Sequence, residues 1–384
     1  MTPPPWGLYI HWPFCVSKCP YCDFNSHVRE SVDQARWRAA LVTEIKAAGA
    51  RAGRSALQSI FFGGGTPSLM PPDTVAAAIA AARAAFQIDG DIEITLEANP
   101  SSVEASRFAA LKDAGVNRLS MGIQSFDDEA LKFLGRAHDA HEARQAIQEA
   151  SAVFDRVSFD LIYALPGQSP AAWTAQLHEA LDFGTSHLSL YQLTIEPNTG
   201  FQGQVARGVF TPMDDDSAAD LYDLTQLRLE GAGLPAYETS NHAAAGQQCA
   251  HNLIYWRGQP YAAVGPGAHG RWLSGSGWQA TRCYNKPERW LSAVEETGSG
   301  VEDTTTIAPG ERAEEMLMMG LRLAEGVDLE WISDATGRDV NASIDPQALA
   351  ALVSDGWLKA SRVRLALTAK ARPVANTVIA KLLA

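Results

Sequence analysis

Three cysteines stand in one short run, Cys15-Val16-Ser17-Lys18-Cys19-Pro20-Tyr21-Cys22. The C-x3-C-x2-C spacing puts three thiolates on a single loop. Three thiolates can hold three irons of a cubane [4Fe-4S] cluster, and with no fourth cysteine close by, the fourth iron is left open to a small molecule. Disulfide bonding fits poorly, because three is odd and the spacings are too short for easy bridging. Zinc ordinarily draws on paired C-x2-C units and four ligands. The remaining cysteines, Cys249 and Cys283, have no partner in the motif and read as ordinary, partly buried thiols.

Such a loop needs a rigid frame, and residues 8–193 supply the pattern of one. Short apolar strands are predicted at 7–12, 58–62, 91–97, 117–123, 156–161 and 187–193. Amphipathic helices alternate with them at 33–50, 73–86, 102–114, 141–152 and 170–182; Trp37, Leu41 and Ile45 mark the buried face of the first. Repeated β-α units imply parallel strands joined by right-handed crossovers, and six of them suggest a partial (β/α)6 barrel of the TIM type.

The strands carry one polar face each. Ile92, Ile94 and Leu96 oppose Glu93, Thr95 and Glu97; Leu119, Met121 and Ile123 oppose Ser120, Gly122 and Gln124; Val157, Phe159 and Leu161 oppose Ser158 and Asp160. Strands covered by helices on one side and facing a filled apolar interior on the other would be apolar on both. The expectation is a barrel whose lumen is a wet, polar cavity. Glu97, Gln124 and Asp160 then fall at the carboxyl ends of successive strands, where α/β barrels place their ligand groups. Gly63-Gly64-Gly65-Thr66-Pro67 follows the apolar strand Ile60-Phe61-Phe62 and lets the backbone approach a ligand closely. Arg136, twelve residues after Gln124, is suited to hold a carboxylate bidentately.

Beyond residue 200 the pattern changes. A helix starts at Asp214-Asp215-Asp216, residues 240–287 are rich in Gly, His, Trp and Tyr with little periodicity, and helices return at 288–297 and 311–324. The tail holds a helix at 346–355, an alternating stretch at 363–367 and a last helix to 383, a winged-helix-like arrangement. The expected organisation is a barrel core over 1–200, an α/β extension over 201–310 and a small helical, winged-helix-like module over 311–384.

The cysteine run, with the flanking Tyr9-Ile10-His11 and the Gly63–Pro67 loop, resembles the radical S-adenosylmethionine (SAM) superfamily. That resemblance implies that SAM binds the open iron through its amino and carboxylate groups, and that one-electron reduction splits its sulfonium to a 5′-deoxyadenosyl radical. Along nearly the whole length the chain is similar to the oxygen-independent coproporphyrinogen III dehydrogenase family and, within it, to the branch of HemW-type haem chaperones. The match implies SAM contacts from Tyr9, Tyr21, Gly64, Gly65, Thr66, Glu97, Gln124, Arg136 and Asp160, with Cys15, Cys19 and Cys22 as cluster ligands. His251-Asn252-Leu253-Ile254-Tyr255 matches the H-N-x-x-Y element of that branch, which implies a haem site at His251 and Tyr255; Cys249, two residues before, is a further possible thiolate. From the residues alone the same segment describes an aromatic loop that caps the barrel with His251 hydrogen-bonded inside. Gly265-Pro266-Gly267-Ala268-His269-Gly270 adds tight turns and another histidine, with no role assigned.

Two departures separate the chain from the decarboxylating members. Those carry a further cysteine two residues after the third ligand, where this chain has Phe24, and an extension before the cluster loop, whereas here the first ligand is residue 15. The expected function is therefore haem binding and delivery to an acceptor protein, with an electron donor for the cluster. The alternatives are a coproporphyrinogen III dehydrogenase, or a methyltransferase or cyclopropanating relative. Composition agrees: a formal charge of −13 over 384 residues, without Lys/Arg runs, argues against nucleic acid and anionic membranes. Neither a basic–apolar leader nor an apolar run of spanning length is present, so a reducing cytoplasm is expected.

Overall fold

The computed structural model describes residues 4–53, 55–275 and 277–383. Six strands, β1 (Trp6–Trp12), β2 (Leu57–Gly64), β3 (Glu93–Ala98), β4 (Arg118–Gln124), β5 (Val157–Tyr163) and β6 (His187–Gln192), lie side by side in chain order. Each is parallel to the next. They form the expected partial barrel. Between them run α1 (Gln34–Arg51), α2 (Pro72–Ala85), α3 (Phe108–Asp113), α4 (Ala140–Val153) and α5 (Pro170–Asp182).

Local signals set these helices. Asp33 caps α1 by accepting from the Arg36 amide, Asp139 and Glu142 form a reciprocal capping box on α4, and Ser169 caps α5 ahead of Pro170. Trp37, Leu41 and Ile45 of α1 and Ala143, Ile147 and Ala150 of α4 are buried with the apolar strand residues Leu8, Ile60, Phe62, Leu96 and Leu119 in one core. The predicted helix over 102–114 is broken: Ser102–Ala105 and α3 are separate, and Glu104 turns inward to accept from Ser68 and from the Asn99 amide.

The polar faces do point inward, but much of the lumen is packed rather than wet. Arg118, on the inner face of β4, is buried and donates to Ser158; Ser158 bonds Ser120, and Ser189 bonds Asn241. Glu93 pairs with Arg156 at 2.8 Å.

The stretch 240–287, expected to be irregular, contributes most of what sequence patterning missed. Helix α6 (Asp215–Gly231) leads to β7 (Asn241–Ala243), antiparallel to β6. Helix α7 (Ala250–Trp256) follows, then β8 (Tyr261–Val264), which pairs parallel with the free side of β1. Strands β9 (His269–Ser274), β10 (Gly277–Cys283) and β11 (Val301–Thr306) add on antiparallel, with α8 (Pro287–Thr297) between the last two. The sheet has eleven strands in the order β11-β10-β9-β8-β1-β2-β3-β4-β5-β6-β7 and ends in two edges.

Helix α9 (Pro309–Gly320) opens a second core drawn from residues between Ala313 and Leu382. That core covers a small antiparallel sheet of Val327–Asp328, Leu358–Ala360 and Arg364–Leu367, in which the Arg364–Leu367 strand is central. No described helix is long and apolar enough to cross a membrane.

Candidate functional site

The cysteine loop leaves the end of β1 and lies over the carboxyl ends of the barrel strands. A short parallel bridge of Phe14–Cys15 with His27–Val28, a Cys22 amide to Cys19 carbonyl bond of 3.1 Å and a His27 amide to Pro13 carbonyl bond of 2.7 Å fold it back on itself. All three thiols are half-buried and face one cavity of about 440 Å³. Thr66 Oγ1 donates to Cys15 Sγ at 3.5 Å, Arg136 Nη1 to Cys19 Sγ at 3.4 Å, and Cys22 Sγ lies 3.7 Å from Ser26 Oγ. Burial pushes the Cys15 thiol up, and the Thr66 hydroxyl opposes that shift. Among the described residues no three His, Cys, Asp or Glu side chains converge as a single metal ion requires. The three cysteines instead border one cavity together, and a cluster takes one thiolate for each of three irons.

Glycines let β2 pass beneath this loop. A Cβ on Gly65 would lie 2.7 Å from the Phe14 carbonyl and 3.0 Å from Cys15 Sγ. Gly64 has φ of 117°, and its amide donates to Glu97 Oε2 at 3.1 Å.

Glu97, Gln124 and Asp160 line the same cavity from β3, β4 and β5. Gln124 holds a left-handed backbone (φ 70°) where the β4–β5 register slips, and its buried Oε1 has no hydrogen-bond partner among the described residues. A strained residue with an unspent acceptor at a strand end is where a ligand contact is expected. Glu97 borders the opening, yet its carboxyl is pushed up to about 8, by burial first and then by the charge of Asp160. Asp160 is raised to about 6 by burial, against the pull of Ser189 and Arg118. A cation placed between them would hold both ionised.

Arg136 donates to Asn99 Oδ1 at 2.6 Å and to the Gly122 carbonyl at 2.8 Å, and reaches Cys19 and Tyr21 with its other nitrogen. It therefore ties the cysteine loop to β3 and β4. Its Nε has no partner among the described residues. The donor set fits SAM and a three-thiolate cluster: three thiols, two desolvated carboxylates for a sulfonium or amine, a guanidinium for a carboxylate, and an unsatisfied amide.

Of the residues expected around SAM, Tyr21, Gly64, Gly65, Thr66, Glu97, Gln124, Arg136 and Asp160 line this cavity. Tyr9 does not. Its hydroxyl bonds His11 Nδ1 at 3.0 Å, and its ring faces a second cavity of about 850 Å³. The two cavities share one lining residue, Phe24, which is 61% exposed. Patterning missed Asn99 and Arg118. Arg118, on the polar face of β4 two residues before Ser120, was open to recognition from alternation alone.

The expected haem segment is helix α7, and it plugs the lumen from the amino-terminal ends of the strands. The His251 ring accepts or donates at both nitrogens, Nδ1 to Ser59 Oγ and Nε2 to Tyr255 Oη, each at 2.8 Å. Its amide donates to Glu93 Oε1 at 3.2 Å, and the Cys249 thiol meets the same oxygen at 3.3 Å. Burial pushes His251 down to about 3 and Cys249 up to about 12. Cys249 is thus a sealed, protonated thiol, not an available thiolate, and Cys283 is equally buried. Tyr255 lines the second cavity; His251 does not.

Known proteins match both parts of the chain. The radical SAM superfamily matches residues 9–177, and the HemN C-terminal domain matches residues 307–374. The "Heme chaperone HemW" of Escherichia coli is 44% identical over 270 residues, 70% of each chain; that of Bacillus subtilis is 32% identical over 376 residues, 97% of each. "Radical S-adenosyl methionine domain-containing protein 1, mitochondrial" of Bos taurus is 42% identical over 326 residues, covering 84% of this chain and 74% of that protein. The coproporphyrinogen III oxidase HemN of Escherichia coli shares the fold, with a TM-score of 0.82 at 22% identity over 99% of this chain and 90% of its own. With its three-cysteine loop over a partial barrel and relatives of this identity along most of its length, the chain belongs to the HemW family of the radical SAM superfamily.

Proposed function

We propose that this protein binds one [4Fe-4S] cluster, SAM and haem, and passes haem to an acceptor protein in the cytoplasm. Cys15, Cys19 and Cys22 would hold the cluster. Tyr21, Gly64, Gly65, Thr66, Glu97, Gln124, Arg136 and Asp160 would hold SAM, the carboxylates facing its positive charge and Arg136 its carboxylate. When bound, the cluster and SAM supply one-electron chemistry at the sulfonium. The chain's own part is to orient the nucleotide and to fix the loop through Arg136. The observation that carries the reading is the pair of cavities meeting at Phe24, one lined by cysteine and carboxylate, the other broad and aromatic. Proteins called haem chaperones among the relatives support it.

A coproporphyrinogen dehydrogenase is the other reading, and Phe24, in place of the further cysteine of those enzymes, weighs against it. The test is anaerobic reconstitution of wild type and Cys19→Ser, followed on the same samples by iron and sulfide content, SAM cleavage, hemin titration and coproporphyrinogen turnover. Wild type should bind about four irons and give a Soret band with hemin; Cys19→Ser should lose the cluster. Turnover of coproporphyrinogen without hemin binding would replace this reading with the enzymatic one.

A further inference from the structure

We propose that haem sits in the second cavity with His269 as its iron ligand and with Arg271 and Arg322 receiving its propionates, an inference that rests on the haem-binding reading above. Of the imidazoles near the cavity, most are already engaged. His251 has both ring nitrogens engaged and lies outside the cavity wall. His11 lines the cavity, but its Nδ1 meets the Tyr9 hydroxyl and its Nε2 donates to the Asn25 carbonyl, each at 3.0 Å. His269 lines the cavity, is exposed, and carries no ring hydrogen bond among the described residues. The phenol of Tyr255 is engaged in turn, its hydroxyl 2.8 Å from His251 Nε2.

Strand geometry places the rest. His269 and Arg271 are two apart on β9, so their side chains leave the same face. Opposite, Arg312 and Glu315 of α9 and Arg322 just beyond it complete a cationic corner. Glu315 is shared between Arg271 and Arg312, and among the described residues the partners of Arg322, the Met318 carbonyl and Asn376, are neutral. Three guanidiniums with one carboxylate leave two positive charges in excess, the complement of two propionates. Arg312 is buried and committed to the Gly258 carbonyl and to the face of Trp278, which leaves Arg271 and the less buried Arg322 to meet the propionates. Glu238, the other acid on this wall, is buried and bonded to the Ser240 amide, and burial pushes its carboxyl up. Trp256, Tyr255 and Tyr261 give the aromatic wall for the ring.

The test titrates hemin and iron-free protoporphyrin IX into full-length wild type, His269→Ala and the double variant Arg271→Gln/Arg322→Gln. His269→Ala should weaken hemin at least about tenfold and shift its Soret band, while protoporphyrin binds within about twofold of wild type, which also shows that the cavity is folded. The arginine variant should weaken both porphyrins by about tenfold or more, since both carry propionates. Wild-type hemin affinity and spectrum in His269→Ala, or equal loss of both porphyrins there, would overturn the iron-ligand assignment while haem binding stands. Wild-type binding of both porphyrins by the arginine variant would overturn the propionate assignment. A wild type silent to hemin would remove the haem-binding reading itself.

Discussion

Glu44→Ala removes a carboxylate that ties α1 to α8 and to the turns that follow β8 and precede β11. Glu44 lies on the buried stripe of α1 with Trp37, Leu41 and Ala48 and is fully enclosed. It accepts from the Gly300 amide and the Trp290 indole at 2.7 Å each, and from the Gly265 amide at 2.9 Å. Alanine leaves three enclosed N–H groups without partners, each costing about 1–3 kcal/mol. Part of that is returned, because burial already raises the Glu44 carboxyl and the variant no longer desolvates it. The net loss should be about 4 kcal/mol, nearly a thousandfold if it is spent locally. Hydrogen exchange at the Gly265 and Gly300 amides, with urea unfolding alongside, reads both local and global loss. Glu44→Gln keeps one acceptor oxygen and should lose about half as much. A loss under about 1 kcal/mol for alanine, with exchange at those two amides unchanged, would show that the carboxylate does not hold them.

Three further outcomes follow from the first cavity. Arg136→Ala should weaken SAM binding by about 1.5–3 kcal/mol, the range for a hydrogen bond to a charged group, measured by equilibrium binding to the reconstituted protein; unchanged affinity would return Arg136 to bracing the loop alone. With the Glu97 carboxyl near 8, only about one in ten is ionised at pH 7, so wild-type affinity should gain about tenfold more than Glu97→Gln does between pH 7 and 9, and parallel pH profiles would refute the contact. The sign for stability is opposite: a raised carboxyl favours the ligand-free fold below the ordinary range, and that favour is lost as pH rises from 4.5 through about 8. Cys249→Ser and Cys283→Ser should retain full iron content, because both thiols are sealed away from the loop; iron loss in either would mean that the ligand set is incomplete.

The barrel was legible because its units repeat. Period-two strands such as Glu93–Ala98 and period-3.6 helices such as Gln34–Arg51 carry their own signal, and the polar faces foretold which strand ends would meet at the cavity. Strand β11, Val-Glu-Asp-Thr-Thr-Thr, gave none, since most of its residues are exposed on a sheet edge and neither face is apolar. Helix α7 hid for a different reason. Its seven residues are too few to show a period, and its chemistry is spent on Ser59 and Glu93, distant in sequence. Tyr9 was expected beside SAM because the family resemblance implies it; which of two cavities its ring faces depends on the bond to His11, which spacing does not encode.

The plug has a consequence for synthesis. Glu93 and Ser59 leave the ribosome long before their partners: the Cys249–Glu93 contact spans 156 positions, and the His251–Ser59 contact spans 192. At about 5–20 residues per second, Glu93 and Ser59 wait roughly 8–40 seconds for these partners. Throughout that interval Ser59 lacks its His251 bond, and Glu93 gains its ion pair only once Arg156 has been made. Final closure thus belongs to the last third of translation, and truncation before residue 250 leaves an open-ended barrel however complete its first six strands are.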